Sequence, residues 1–376
     1  MLRRVATLIA AALALSAPAH AQPRFEVVAT GAPTAGFDVR ISADGAVATI
    51  GSLDPVLGAA GAVRIELATG ASTLLAFGIG ASAFPSADGS VVMGTEYNAS
   101  AVVYRWTAAG RTTVPTLTSI AALSADGSRY AGTDFNVSPP AYVATYAPGP
   151  PVLTALGDLP GGFTSTNAYG ISGDGTIVVG TSSQTLGWEA FRWTQADGMV
   201  GLGDLPGGAF ASSASDASQD GTTIVGSGTS ASGLEAFVWR NGLMTGIGDL
   251  PGGSFESIAH GVSGDGAVVV GSGSKLDGSG PASIEAAFVH DAQGMHDLEA
   301  LLVDGYGLDL EGAQLRVASD VSADGNVIVG YGVDGTQNIA WVAVIPEPGA
   351  SSGLGAGVVA LAGLSRRRAT SGSRRG

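Results

Sequence analysis

Seven times the chain writes Ser-x-Asp-Gly, at Asp44, Asp88, Asp126, Asp174, Asp220, Asp265 and Asp324. A recurring carboxylate first suggests calcium, but calcium loops place several carboxylates within a few residues. Each copy here offers one, followed by a glycine suited to a turn, so turn chemistry is the expectation. The stretch Gly201-Leu202-Gly203-Asp204-Leu205-Pro206-Gly207 superficially resembles a nucleotide fingerprint. Its spacing is wrong, it contains proline and no helix pattern follows, so it reads as a structural loop in which Asp158, Asp204 and Asp249 bond backbone. His260, His290 and His296 form no i, i+4 pair and match no metal-ligand spacing. Glu189 and Glu235 could pair as glycosidase carboxylates, yet they recur at one repeat position, which favours packing or rim solvation. No catalytic constellation, metal site or cofactor motif emerges, and the chain is not expected to be an enzyme.

The candidates that depart from repetition lie just before the Asp-Gly pairs: Arg40, Tyr169, Asp216, His260 and Asp320. Their surroundings are mostly Ala, Gly and Ser. To converge, these five need elements that bring the repeats around a common axis.

The spacing supplies those elements. Each Asp-Gly precedes a short β-branched run ending in Gly, such as TIVVG, AVVVG and NVIVG. Asp-Gly between apolar runs predicts a hairpin with a type I′ turn, which needs positive φ at both central residues. A third strand follows, as in Ala190-Phe191-Arg192-Trp193 and Ala236-Phe237-Val238-Trp239, with rings alternating onto one face. Turns at Asp197-Gly198 and Asn241-Gly242 lead to a fourth, expected at Met199–Leu205 and Leu243–Leu250. Four strands in about 45 residues is the arithmetic of a propeller blade. The fold expected is all-β, a β-propeller of about seven four-stranded blades over 22–345, with an open β-solenoid as the alternative.

The seventh unit lacks a fourth strand, while a spare strand, Arg24–Ala29, precedes the first Asp-Gly. That strand is expected to complete the last blade and close the ring, removing an open edge. The longest interval, 59 residues from Asp265 to Asp324, adds Leu298–Gly312 as a loop or short helix. In this arrangement Arg40, Tyr169, Asp216, His260 and Asp320 fall on innermost strands and would line the channel mouth, a ligand-binding position.

Composition narrows the partners. Apolar residues make up 45% of the chain and charged residues only 13%, with 59 glycines and no cysteine. Neither disulfides nor thiolate chemistry is available. Seven of the 17 Lys and Arg lie in the terminal tails, against one of the 32 acidic residues, so the body carries about −21. Phosphate recognition needs clustered Lys or Arg, so nucleic acid is excluded as an expected partner.

The ends carry addresses. Residues 1–21 combine Arg3 and Arg4, an apolar run and Ala19-His20-Ala21. They read as a signal peptide cut after Ala21 by signal peptidase. Residues 346–376 begin Pro346-Glu347-Pro348, continue through an uncharged segment at 349–364 and reach Arg366-Arg367-Arg368. A short apolar segment marked by positive charge suits a membrane whose cytoplasmic side holds the arginines.

This tail resembles the PEP-CTERM sorting signal of Gram-negative bacteria, in three parts and in the right order. The resemblance implies a transient inner-membrane anchor and recognition at Pro346, Glu347 and Pro348 by an exosortase-type enzyme. Delivery to the cell surface or extracellular matrix would follow. Over 155–345 the units also resemble the HAF-type extracellular repeats, through Leu156-Gly157-Asp158-Leu159-Pro160-Gly161-Gly162, Ile171, Val178-Val179-Gly180 and Ala190-Phe191-Arg192-Trp193. Glu189 and Glu235 stand where that family has histidine. The resemblance implies an exported β-repeat protein with a structural, adhesive or ligand-binding role, with extracellular polysaccharide a partner by analogy. The alternative is a glycan-acting hydrolase or lyase using carboxylates at the channel.

Overall fold

The computed structural model describes residues 22–31, 37–52, 61–77, 81–97, 101–115, 119–134, 140–146, 151–276 and 283–345. The expected signal peptide with Ala21, and the tail with Pro346, Glu347, Pro348, segment 349–364 and Arg366, Arg367 and Arg368, lie outside the described residues. No described helix is long and apolar enough to cross a membrane.

Seven antiparallel four-stranded units make a β-propeller, not a solenoid. Five are separate sheets closed within one stretch of chain or, in the last blade, from both ends of it; two more, blades 4 and 5, are tied by one parallel pair, Trp188 with Ala211. The innermost strands are Phe37–Ile41, Phe84–Pro85, Ala122–Leu123, Gly161–Ile171, Gly207–Ala217, Ile258–Val262 and Ala313–Val321. In blade 7, Ala313–Val321, Val327–Asp334 and Gln337–Val344 are joined by Arg24–Gly31, which pairs antiparallel from Arg24 opposite Val344 to Gly31 opposite Asn338. Val28 from this strand packs with Val39, Ile50, Val329 and Val342, so the seam between blades 7 and 1 has its own core.

The turns lock the ring. Each Ser hydroxyl donates to the Asp two residues on and accepts the amide five residues on. In blade 1, Ser42 Oγ donates to Asp44 Oδ1 at 2.6 Å and accepts from Val47 N–H at 2.9 Å. The same geometry recurs in the other six copies, for example at Ser172–Asp174 and Ser322–Asp324. The turn is not type I′. Only the glycines have positive φ, from 63° at Gly89 to 77° at Gly325. The Gly45 amide donates to Ser42 O, and the Ser42 amide to Val47 O. The serine therefore anchors a four-residue loop, and the aspartate needs no left-handed backbone.

The residue between Ser and Asp joins neighbouring blades. Backbone bonds of 2.7–3.0 Å run Asp44 N to Ala87 O, Ala87 N to Ala125 O, Ala125 N to Gly173 O, and Asp174 N to Gln219 O. They continue Gln219 N to Gly264 O, Gly264 N to Ala323 O, and Ala323 N to Ala43 O. Seven bonds thus form a closed belt around the axis. A crowded belt needs small side chains, and six of its seven x positions are Ala or Gly.

The fourth strands are shorter than expected, Gly198–Gly201 and Leu243–Gly246. Glu189 Oε1 accepts from Gly203 N–H at 2.9 Å, and Glu235 Oε1 from Gly248 N–H at 3.1 Å, turning the chain out of the ladder. The glutamates are loop fasteners. In the same loops Asp204 accepts from the amides of Leu205, Ala211 and Thr229, and Asp249 from those of Leu250, Glu256 and Ser274. Each ties its loop to the next blade.

The axial channel as candidate functional site

A cavity of about 150 Å³ lies on the axis, lined by the innermost strands and the belt. Arg40, Tyr169, Asp216 and Asp320 all line it; His260 does not. Phe84, Gln219 and the small residues of the belt complete the walls.

Local backbone shapes the channel wall in the later blades. In blades 4 to 7 the innermost strand carries a β-bulge, with register shifts at Ala168/Gly170, Ala214/Asp216, Ala259/Gly261 and Ala318/Asp320. A bulge inserts one extra residue and re-aims its neighbours. Tyr169 and His260 are the inserted residues in their blades. Asp216 and Asp320 come one position later, where the ladder resumes. The corresponding position is glycine in blades 4 and 6, for a steric reason. An added Cβ at Gly261 would stand 3.1 Å from Asp320 Cα, and one at Gly170 would stand 2.8 Å from Ser215 O.

The two aspartates repeat one geometry. Asp216 Oδ1 accepts from Ala217 N–H at 2.8 Å, and Oδ2 from Val262 N–H of the next blade at 3.1 Å. Asp320 Oδ1 accepts from Val321 N–H at 2.8 Å, and Oδ2 from Ile41 N–H across the closing seam at 3.0 Å. Each is an inter-blade clasp as well as a channel wall. Arg40 bonds Asp38, Nε to Oδ1 at 2.9 Å, and its guanidinium lies over Phe84 at 5.2 Å from the ring centroid.

Burial and charge shift the titrations. Burial, reinforced by the charge of Asp320, pushes Asp216 up to about 7 against the pull of its amide donors and Arg40. Burial likewise raises Asp320 to about 6, opposed by Arg40 and the Ile41 and Val321 amides. Burial works to lower Arg40, but Asp38, Asp320 and Asp216 outweigh it and hold the guanidinium firmly charged. His260 is brought down to about 4 by burial, with Arg40 adding to the effect, and its Nε2 lies 3.2 Å from Ser272 Oγ. It is therefore a neutral group, and not one of the residues that line the channel.

Chemically, the channel offers one fixed cation, two carboxyls poised near neutrality, the Gln219 amide and the half-exposed ring of Tyr169. That set suits an uncharged, hydroxyl-rich group. No group of three or more His, Asp or Glu among the described residues could hold a metal ion. Gln219 was missed in the sequence, although it is the one large residue among the seven x positions. Asp38 and Phe84 carried no comparable signal.

The fold has counterparts among solved structures. The chain is similar to the β-propeller domain of the Trilobed protease from Pyrococcus furiosus, described as having an open velcro topology. The TM-score is 0.53 at 10% identity, over 84% of this chain and 94% of that one. It is also similar to an oligogalacturonate lyase in complex with manganese, with a TM-score of 0.51 at 12% identity, over 87% of this chain and 97% of that one. At these identities the likeness shows the fold alone: a β-propeller. No protein-family model matches the sequence, and no curated protein sequence matches it significantly.

Proposed function

We propose that this protein is an exported β-propeller that binds a hydroxyl-rich ligand, such as a saccharide unit of a surface or matrix polymer, at its axial channel. The observation that carries the reading is convergence. Four of the five polar side chains that break an otherwise small-residue pattern, drawn from four different blades, meet in one cavity. Arg40 and Gln219 would donate to hydroxyls, Asp216 and Asp320 would exchange hydrogen bonds with them, and the Tyr169 ring would stack on an apolar sugar face. Export by residues 1–21 and sorting through Pro346-Glu347-Pro348 and the segment 349–364 would bring this surface to the outside of the cell. Processing there would fall to an exosortase-type enzyme.

The test is a glycan array followed by calorimetry on the best ligand. Arg40→Gln and Tyr169→Ala should each weaken binding by about tenfold or more, the equivalent of ~1.4 kcal/mol. An array that retains nothing, or binding indifferent to both substitutions, would defeat the proposal.

A second reading, glycan cleavage, draws on two carboxyls titrating near neutrality beside one channel, the pattern of an acid and its partner. Against it, both oxygens of each carboxyl already accept backbone amides. Turnover of an array-positive glycan that disappears in Asp216→Asn or Asp320→Asn would install the enzymatic reading in place of simple binding.

A further inference from the structure

A second concavity, about 1060 Å³, opens on the turn end of blades 5 to 7. It is distinct from the axial channel, and it sits where the repeats differ. On one side it is bounded by Leu301 and Tyr306, from the helical insertion that replaces a GDLPGG loop between blades 6 and 7. Its floor is apolar: Val238, Ile247, Val268, Val289 and Ile345, with Leu243 exposed at 68% on the lip. The rim is acidic. Asp265, Asp291 and Asp324 face it, against a single guanidinium, Arg240, which already donates to Thr223 Oγ1 and to the Gly266 carbonyl. His290 and His296 complete the rim. Burial lowers His290 below the usual histidine range, and His296 Nε2 lies 3.6 Å from Asp291 Oδ1.

At about 1060 Å³ and lined by residues of three blades, this groove has room for a length of chain. Ile345, which lines it, is the residue at which the described chain leaves blade 7. The sequence that follows has both complements. Residues 349–364 are uncharged and made of Gly, Ala and Ser with three Leu and two Val, and Arg366, Arg367 and Arg368 come directly after Ser365. Pro346 and Pro348 have no N–H to donate to a ladder.

We propose that, in water, the groove holds the protein's own C-terminal segment, with the apolar residues of 349–364 on the floor and the following arginines at the acidic rim. Such docking would shield an apolar segment before it is handed to a membrane or removed. The proposal is independent of ligand binding at the channel.

Hydrogen exchange on residues 22–376, compared with a chain ending at Ile345, tests it. In the longer chain, amides of 265–268, 289–293 and 301–306 should exchange more slowly, on the order of tenfold. A hydrophobic fluorescent dye should bind the shorter chain more strongly, and a synthetic 346–368 peptide should displace it. Should the shorter chain fold poorly, Leu243→Arg with Asp291→Lys in the full-length chain should give the same loss of protection. Equal exchange in both chains, or a peptide without effect, would overturn the proposal. Protection that grows with protein concentration alongside a dimeric mass would also overturn it, assigning the groove to a neighbour's segment.

Discussion

Asp216 and Asp220 stand four residues apart on one strand and its turn, yet the fold treats them in opposite ways. Asp220 is exposed at the turn end, where the Thr222 amide and the Thr222 and Ser218 hydroxyls hold its carboxyl below the usual range. Asp216 faces the axis, where burial raises it to about 7. The first kind of aspartate is local and works within its own blade. The second reaches the next blade, and its partner Asp320 reaches across the seam where the ring closes. The repeated turn aspartates hold their own turns through their carboxyls, whereas the carboxyls of Asp216 and Asp320, which depart from the repeat, reach into the next blade.

The strongest way to break this contrast is at the seam. Deleting Arg24–Gly31 removes a whole ladder and Val28 from the seam core. That loss should consume a large share of the roughly 5–15 kcal/mol available to a folded domain, and thermal melting should lose its cooperativity. An unchanged melt would show that the ring closes without it. Next, Asp320→Ala strands the amides of Ile41 and Val321. At about 1–3 kcal/mol per unsatisfied buried group, denaturant titration should show a loss of roughly 2–6 kcal/mol. Asp320→Asn, which keeps one acceptor oxygen, should lose about half as much.

Titration sharpens the comparison. Because the native pKa of Asp216 lies above its unfolded value near 3.9, its titration favours the folded state most below about pH 4. That contribution fades as pH rises through about 7. The turn aspartates Asp88, Asp126, Asp174 and Asp265 are lowered, so theirs is present above about pH 4 and fades as pH falls. Asp216→Asn should therefore flatten the stability profile between pH 4 and 7 and leave the acid limb intact; a profile unaltered between those values would refute the assignment. The smallest effect is expected at a single turn. Asp174→Ala removes acceptors for the Thr176 amide and two hydroxyls, for about 1 kcal/mol, with no change in ligand binding.

Much of this was legible in the residues. Seven Ser-x-Asp-Gly copies and four strands per unit led to the blade count, and the spare strand at Arg24 led to the seventh blade's partner. The small residues around Arg40, Tyr169, Asp216 and Asp320 pointed to the axis. The turn type misled, because Asp-Gly alone does not reveal that the preceding serine closes a longer loop through its hydroxyl. His260 misled as well: it is the inserted residue of its bulge just as Tyr169 is of its own, yet only Tyr169 lines the cavity, so position along the strand does not by itself decide which side chain reaches the axis.

Sequence by itself determined the repeat, the turn chemistry and the acidity of the body, because these depend on neighbours within a few positions. Tertiary structure alone decided that Asp216 and Asp320 span blades, that a belt of seven backbone bonds closes the axis, and that a groove opens beside Ile345. Those bonds join residues 38 to 280 positions apart, and only the packing of neighbouring blades and the closing of the ring bring such groups within hydrogen-bonding distance.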